Sequence, residues 1–237
     1  MVRRLERRSP LGESGRRALH GLPHQLRRLP ASAHIIRDGD RPEHISLLLS
    51  GFAHRYKLTG EGGRQIISIH MASEFVDLQN GLLGIADHSV QTLTDAEVAL
   101  IPRPAVEELA LGNPEVGRTL WIDTLIDASI FREWVVNVGR RDSRARVAHL
   151  LCEFSLRLEA AGLAANHRYQ LPMTQEQLAD AVGLTSVHVN RVLKRLAEEG
   201  LISRDRRRIV IEDWKRMRDA GDFNERYLHH DGFAVAA

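Results

Sequence analysis

The chain has 237 residues, of which 43% are hydrophobic and 27% are charged, and its formal net charge is +2. This length and apolar content suffice for one large or two ordinary domains with hydrophobic cores. Apolar runs stay well short of the roughly 18 residues that a membrane-spanning helix needs. The arginine-rich start MVRRLERRSP does not lead into a signal-peptide core. We therefore expect a soluble, cytoplasmic protein without membrane contacts.

The single cysteine, Cys152, excludes a disulfide within one chain and a metal cluster held by several cysteines of that chain. Arginine is concentrated near the start of the chain and again from Arg140 onwards, so the small net charge hides a separation. Basic segments on either side of a more neutral middle suit nucleic acid, and equally suit solubility alone. Charge by itself therefore does not decide the function.

Residues 1–30 are predicted to form a loose lead-in with one short helix from Ser14 to Gly21. Their basic side chains make RNA polymerase and DNA candidate partners, and an ordinary solvated surface is the simpler interpretation. The segment therefore carries no functional assignment of its own.

Short apolar strands and glycine turns occupy the chain between Ala33 and Pro102. The strand segments are HIIRDGD, HISLLLSGFAHRYKL, RQIISIH and SVQTLTDAEVALI, with the turn TGEGG before the third of them. Many short strands with regular turns are typical of a β-sandwich or barrel.

A long helix is predicted from Asn113 or Pro114 to Asn137 or Val138. Its apolar side chains form two stripes, which are Trp121, Leu125, Ala128 and Val135 on one side and Ile122, Ile126, Ile130 and Trp134 on the other. A helix that rests on one domain needs one stripe, so the second stripe predicts a partner, most simply the same helix of a second subunit. A helix buried between two domains of a monomer is the alternative.

Gly139 interrupts the helical pattern, and Ser143 starts a new one, which predicts a hinge between them. Five residues of the new helix face a core, namely Val147, Leu150, Leu151, Phe154 and Leu158. Cys152 lies on this helix and is predicted to be packed rather than reactive. The helix ends at Gly162, and residues 164–169 are predicted to be a loop.

Two short helices with a tight turn follow in the segment MTQEQLADAVGLTSVHVNRVLKRLAEEGLISRDRRR. Thr174 and Gln177 have capping-box spacing for a helix that ends near Val182. Gly183 stops this helix, and Thr185 or Ser186 caps the next. Apolar residues recur in the second helix at spacings of three and four, which places Val189, Val192, Leu193 and Leu196 inside. Such a pair predicts a helix-turn-helix.

The outer face of the second helix carries side chains that can contact DNA. Arg191 is the strongest base reader, because its guanidinium can engage guanine O6 and N7 together. Asn190 could pair with adenine N6 and N7, and Val187 offers only an apolar surface. The first turns of a recognition helix reach bases, and later turns reach phosphates. The remaining candidates on the two helices are Thr174, Gln175, Thr185, Ser186, His188, Lys194 and Arg195.

Arginines alternate with apolar residues after Leu201, which predicts two short strands around a turn at Asp205. This hairpin is a wing, and its candidate DNA contacts are Arg206, Arg207 and Arg208. A short helix with Trp214 and Met217 inside follows, and a partly ordered tail is predicted from Phe223. The alternative for the whole segment is an ordinary α-hairpin with a solvated basic face.

The helix-turn-helix and the segments IIRDGD and LLLSG resemble the Crp/Fnr superfamily of bacterial transcription regulators over nearly the whole chain. The resemblance implies an α+β fold with an N-terminal β jelly roll of the cyclic-nucleotide-binding type, a long dimerisation helix and a C-terminal winged helix-turn-helix. Three parts are therefore expected, with residues 1–112, 113–139 and 140–237. In this superfamily an arginine stands at the position of Arg191, and a glutamate that reads cytosine commonly stands at the position of Val187.

The resemblance also implies where an effector would bind. The cyclic-AMP branch has a glutamate at the position of Leu78 and an Arg-Ser pair at the positions of His88 and Ser89. Replacing a charged guanidinium fork by an imidazole disfavours binding of the cyclic phosphate. Either Ser89 and the backbone of residues 84–87 hold another small anion, or side chains fill the pocket.

Cofactors of other superfamily branches are not expected here. Iron–sulfur sensors need several cysteines, and the histidines follow no ligand spacing, so we predict no cofactor and no metal. Those weighed as ligands are His24, His34, His44, His54, His70, His88, His229 and His230. A cupin-like metal enzyme would need a His-x-His pair in the strands, which the sequence lacks.

Together these features predict a homodimeric, sequence-specific DNA-binding regulator that is not an enzyme and that recognises an inverted repeat. A small molecule in the jelly roll could gate DNA binding, and the sequence does not say which one. The alternatives are the cupin-like enzyme and a sensor or interaction module whose helix-turn-helix no longer binds DNA.

Overall fold

The computed structural model describes residues 1–230, which fall into two compact units. The first holds Met1–Lys57, Ile67–Ile130 and residues 228–230. The second holds Leu58–Ile66 and Phe131–Tyr227. Residues 231–237, the end of the predicted tail, lie outside the described part of the chain.

The predicted strand region forms two facing sets of strands. The strands are β1 Gln25–Leu29, β2 His34–Ile36, β3 His44–Ser50, β4 Phe52–Leu58, β5 Arg64–Met71, β6 Ser89–Thr92 and β7 Ala96–Pro102. One sheet has the order β1-β7-β3, and the other has the order β2-β6-β4-β5. Strand β7 pairs antiparallel with β1 and β3, and β6 does so with β2 and β4. This arrangement confirms the predicted β domain.

Apolar residues from both sheets make the core of this domain. The buried cluster consists of Leu29, Ile36, Leu48, Ala53, Val76, Ala86, Val90, Ala96 and Val98. Gly51 joins β3 to β4 with φ at +81°, and a Cβ there would collide with the carbonyl oxygen of Asp95. The turn between these strands therefore requires glycine.

The start of the chain is folded, so the predicted loose lead-in is wrong, although the short helix predicted from Ser14 to Gly21 is present. Helix α1 spans Val2–Arg8 and helix α2 spans Glu13–His20. Their apolar side chains enter a second cluster, formed by Val2, Leu5, Leu11, Leu19, Leu22, Ile45, Leu47, Phe75, Ala99, Ile101, Val106, Val116 and Leu120. Burial of these leucines and valines offsets the entropy that ordering the segment costs.

Three further helices follow in the first part of the chain. They are α3 Asn80–Leu83, α4 Arg103–Gly112 and α5 Pro114–Arg140. Helix α5 is the predicted long helix, and it continues through Gly139 because an exposed glycine inside a helix costs only about 1 kcal/mol relative to alanine. Carboxylate Asp123 of α5 is ion-paired with both Arg4 and Arg8 of α1.

The two predicted stripes of α5 have different environments. One stripe is buried, with Ile122, Ile126, Ile130 and Trp134. Of the other stripe, Trp121, Leu125 and Val135 are exposed and Ala128 is half-buried. Phe131 and Val136, which were not part of the prediction, are exposed as well. Large apolar side chains that lie exposed along several turns of one helix mark an interaction surface.

The second unit contains the predicted helix-turn-helix and wing. Its remaining elements are α6 Ser143–Ala160, β8 Arg168–Gln170, α7 Gln175–Val182, α8 Ser186–Glu198, β9 Ile202–Asp205, β10 Arg208–Ile211, α9 Trp214–Ala220 and a 3₁₀ turn at Glu225–Leu228. The wing sheet has the order β8-β10-β9, so part of the predicted loop at residues 164–169 belongs to a third strand. The turn lies at Arg206 and Arg207 rather than at Asp205.

Buried polar groups connect the end of α5 to α6 and to the end of the chain. The carboxylate of Glu153 accepts hydrogen bonds from Trp134 Nε1 at 3.0 Å, Arg157 Nη1 at 3.0 Å and Tyr227 Oη at 2.9 Å. Phe223 and Tyr227 are buried, so the predicted partly ordered tail is wrong for the described residues.

The helix break lies at Arg141 and Asp142, just after Gly139.

Cys152 is fully buried on α6, which agrees with a packed thiol. Burial raises the pKa of this thiol, because a low-dielectric environment disfavours the thiolate. The thiol is therefore protonated at neutral pH and unreactive.

Candidate DNA interface and effector pocket

Local sequence signals determine where α7 begins and ends and where α8 begins. Thr174 Oγ1 accepts from the backbone N–H of Gln177 at 3.2 Å, and Gln177 Oε1 accepts from the N–H of Thr174 at 2.9 Å. Gly183 ends α7 in the left-handed conformation with φ at +64°. Thr185 then caps α8 by accepting from the N–H of His188 at 3.3 Å. The capping box and the glycine turn occur as the sequence predicts.

The predicted DNA contacts of α7, α8 and the wing are nearly all exposed. The exposed members are Thr174, Gln175, Thr185, Ser186, Val187, Asn190, Arg191, Lys194, Arg195, Arg206, Arg207 and Arg208. The four apolar residues that were expected inside α8 are buried. The helix therefore presents one polar face, as a recognition helix must.

Arg191 makes no hydrogen bond or ion pair within residues 1–230. Neighbouring cations of α8 are engaged, since Lys194 lies 3.7 Å from Glu198 and Arg195 Nε donates to Glu199 at 2.9 Å. Hydrogen bonding from Arg144 holds the pKa of Glu199 below its usual range, with Arg195 as a further cause. Arg191 thus differs from Lys194 and Arg195, because its guanidinium has no carboxylate partner within residues 1–230.

Two further predicted contacts, His188 and Asn190, also have partners inside the domain. His188 is half-buried, and its Nε2 lies 3.0 Å from Ser143 Oγ at the start of α6. Asn190 Oδ1 accepts from Arg204 Nη2 at 3.1 Å. Arg204 of β9 was not among the DNA contacts predicted from the sequence. A signal was available, because side chains two residues apart on a strand point to the same face, and Arg204 follows buried Ile202 by two residues.

A shallow cleft lies between the start of α7 and the wing, with a volume of about 260 Å³. Polar residues of both elements line it, namely Thr174, Gln175, Arg204, Arg206 and Arg207. Arginine side chains and the amides of a helix start are the groups that bind phosphate oxygens in protein–DNA contacts.

The predicted effector residues lie in the β domain, and their polar atoms are engaged. His88 is buried, its Nε2 accepts from Gln79 Nε2 at 3.3 Å, and its Nδ1 donates to Asp87 Oδ1 at 2.6 Å. Ser89 Oγ accepts from the backbone N–H of Asp38 at 3.0 Å. Burial and the nearby Arg55 lower the pKa of His88, so its imidazole is neutral at pH 7.

Arg55 lies near His88, and both side chains contact Gln79, although the sequence did not suggest Arg55 as a site residue. Its Nε donates to the carbonyl oxygen of Val76 at 2.8 Å, and its Nη2 lies 3.4 Å from Gln79 Oε1. Its Nη1 is ion-paired with Asp127 of α5. A signal was available in the sequence, because an arginine in the middle of an apolar strand needs a buried partner.

Leu78, the third predicted effector residue, is half-buried and packs against the cluster that contains the N-terminal helices. It therefore offers no hydrogen bond where the cyclic-AMP branch has a glutamate. The three predicted effector residues thus all have contacts within the chain.

No group of three or more histidine, cysteine, aspartate or glutamate side chains within residues 1–230 has a geometry that would hold a metal ion. No helix of the described part combines the length and apolar character needed to cross a membrane.

Two family descriptions match separate parts of the chain. Residues 26–113 match the cyclic nucleotide-binding domain, and residues 145–220 match the Crp-like helix-turn-helix domain. These parts correspond to the β domain and to the segment that contains α7 and α8.

Relatives of similar length share this arrangement. The transcriptional activator protein FnrL of Cereibacter sphaeroides is 30% identical over 193 residues, covering 79% of this chain and 77% of FnrL. The nitrogen fixation regulation protein FixK of Azorhizobium caulinodans is 24% identical over 188 residues, covering 79% and 75%. The solved structure of FixK2 from Bradyrhizobium japonicum matches with a TM-score of 0.78 and 26% identity, covering 84% of this chain and 98% of FixK2.

Proposed function

Because the chain belongs to the Crp/Fnr family of transcription regulators, we propose that it binds an inverted-repeat operator as a homodimer, with Arg191 as its principal base reader. The observation that carries this proposal is the exposed guanidinium of Arg191 on the polar face of α8, without a partner in the described residues. Asn190 and Val187 lie on the same helix face and complete the base contacts.

Phosphate contacts come from the rim of this face. Thr174 and Gln175 at the start of α7, Thr185, Ser186, Lys194 and Arg195 of α8, and Arg206, Arg207 and Arg208 of the wing supply hydroxyl, amide and cationic donors. Such contacts fix the register of a protein on the duplex without selecting the sequence. His188 acts differently, because its contact with Ser143 holds α8 against α6.

The exposed stripe of α5 supports dimerisation. Trp121 is 68% exposed and Leu125 51% exposed, and both stand on the helix face opposite the buried stripe. Pairing two such stripes removes apolar surface from water and relates two copies of α8 by a two-fold axis. Two recognition helices can then enter major grooves about 34 Å apart, which requires an inverted repeat.

The internal hydrogen bonds of His88 and Ser89 support regulation without a cyclic nucleotide. A ligand changes DNA binding only through a difference in its affinity for two arrangements of the protein. With Arg55, Gln79 and His88 bonded to one another, a cyclic phosphate would have to displace buried contacts.

We assign the protein to the cytoplasm, where its DNA is, with RNA polymerase as its further partner.

In vitro selection from a random double-stranded DNA library tests the proposal. The expected result is an enriched inverted repeat with a guanine in each half-site, and loss of enrichment of that guanine with Arg191→Ala. Recovery of sequences without two-fold symmetry, or of none above the input library, would contradict it.

A further inference from the structure

The wing strand β9 sends one arginine to the recognition helix. Arg204 pairs with buried Ile209 of β10 in the wing sheet, and this pairing holds its backbone in place. Its Nη2 donates to Asn190 Oδ1 at 3.1 Å, across 14 residues of sequence. The other wing arginines, Arg206 and Arg207, lie in the turn and make no side-chain bond to α8 among the described residues.

This contact determines how the Asn190 amide is turned. Arginine carries only donors, so the group of Asn190 that meets Arg204 must be the oxygen. Gln175 Nε2 lies 3.5 Å from the same oxygen and approaches it from α7. The Nδ2 group of Asn190 has no partner in the part of the chain that the structure describes, so it is the end that remains available to DNA.

The orientation of the Asn190 amide decides which bases this side chain can read. An asparagine that reads adenine uses its oxygen for N6–H and its Nδ2 for N7 at the same time. The Asn190 oxygen has two lone pairs, and both Arg204 Nη2 and Gln175 Nε2 approach it, so Asn190 offers only a donor to DNA. A lone donor fits guanine O6 or N7 and thymine O4, and loses the bidentate advantage on adenine.

We propose that Arg204 is a specificity-positioning residue, which holds Asn190 as a hydrogen-bond donor and so turns its base preference away from adenine. This inference rests on the proposed DNA-binding function and adds a residue to it. Arg204 acts through Asn190, and the two should behave as one unit in base selection.

Selection from a random double-stranded DNA library with four proteins tests this inference. The proteins are the wild type, Arg204→Met, Asn190→Ala and the double variant Arg204→Met/Asn190→Ala. Arg204→Met keeps the aliphatic stem and removes the donors, which frees the Asn190 oxygen. For Arg204→Met we expect the ratio of adenine to the base that the wild type selects to rise at least about fivefold at one position of each half-site. In the Asn190→Ala background, removing Arg204 should change no base preference.

A matched wing variant separates positioning from phosphate binding. Arg207→Met removes a neighbouring arginine that makes no side-chain contact with Asn190, so it should weaken binding to all sequences alike. Arg204→Lys retains a donor and should restore the wild-type preference at least in part. An Arg204→Met protein that loses affinity uniformly and selects the wild-type motif would overturn the inference, since Arg204 would then be a phosphate contact only.

The two proposals fail in distinguishable ways. If the wild type enriches no motif, the proposed function is wrong. If the wild type enriches an inverted repeat and the base at the Asn190 position is unchanged in Arg204→Met, only the role of Arg204 is wrong. Equal melting temperatures of wild type and variants show that each selection used folded protein.

Discussion

Arg55 of β4 and Asp127 of α5 form an ion pair inside the first unit, between the strand domain and the long helix. The Arg55 side chain is 10% exposed, and the Asp127 side chain is 34% exposed. Burial opposes ionisation of Asp127, but Arg55 is close enough to hold the pKa of the carboxyl below its usual range. The pair therefore ties α5 to the region where an effector of this family would lie.

Removing Asp127 should destabilise the protein more than removing Arg55. Asp127→Leu leaves a buried guanidinium without its counter-ion, whereas Arg55→Met leaves a carboxylate that water can reach. We expect a loss of about 2–4 kcal/mol in the free energy of unfolding for Asp127→Leu and a smaller loss for Arg55→Met. Chemical denaturation measures both, and the double variant should recover part of the larger loss. Equal losses in the two single variants would contradict the burial argument.

Stability should fall as pH rises through neutrality because of Asp77. This side chain is fully buried, and its Oδ1 accepts from the Ser46 N–H at 2.6 Å. Burial raises the pKa of Asp77 from 3.8 to about 7, although Ser46 and Arg55 oppose the shift. The folded state thus keeps a proton that the unfolded state has lost, so this contribution is present below about pH 4 and disappears as pH rises through about 7.

Asp77→Asn removes that titration and retains the acceptor for Ser46. The melting temperature of the variant, relative to the wild type, should increase between about pH 5 and pH 8. Scanning calorimetry at several pH values makes the comparison. A constant difference across this range would show that Asp77 is ionised in both states.

Arg191→Ala should cost about 1–3 kcal/mol of binding free energy on the selected operator and relax discrimination at one base pair. Arg195→Ala is the matched control, because Arg195 is already paired with Glu199 and lies where phosphate contacts are expected. It should weaken binding to specific and random DNA alike. Fluorescence anisotropy on both duplexes measures the difference, and equal losses for Arg191→Ala on the two duplexes would refute a base-reading role.

A charge in the exposed stripe of α5 should dissociate the dimer. Leu125→Glu places a carboxylate where we expect two apolar stripes to meet, and burying it unpaired is costly. Leu111→Glu on α4 is the control, since Leu111 is 80% exposed and lies outside the stripe. Light scattering coupled to size exclusion should give a monomer for Leu125→Glu and a dimer for the wild type and the control. A monomeric wild type at micromolar concentration would contradict the dimer proposal.

Cyclic nucleotides should not bind tightly. His88 and Ser89 already bond to Asp87, Gln79 and the backbone of Asp38. The nearby guanidinium of Arg55 is bound to Val76, Gln79 and Asp127. Calorimetric titration with cyclic AMP and cyclic GMP should give no saturable heat. Saturable binding that His88→Ala and Ser89→Ala abolish would show that the pocket opens.

Local signals in the sequence were enough to predict the elements that carry DNA binding. The capping box at Thr174, the glycine at position 183 and the helical spacing of apolar residues in α8 act over three or four residues, so each is visible without a partner segment. Short apolar segments bounded by glycine turns predicted the strands of the β domain for the same reason. Arg191 could be chosen because exposure on an amphipathic helix follows from periodicity.

Contacts between distant segments were beyond such reasoning. The N-terminal helices are ordered partly through ion pairs of Arg4 and Arg8 with Asp123, which is more than one hundred residues further along the chain. No sequence pattern links these groups. The burial of Phe223 and Tyr227 depends likewise on Glu153.

The sequence by itself determined the strand domain, the long two-striped helix and the helix-turn-helix, because short-range spacing encodes each of them, and its resemblance to known regulators indicated the family. Only the tertiary structure decided that Arg55 and His88 both bond to Gln79 and that Arg204 donates to the amide oxygen of Asn190. Those outcomes depend on which side chains meet after folding, and the free energy of a buried or oriented hydrogen bond depends on a partner that the linear order of residues does not specify.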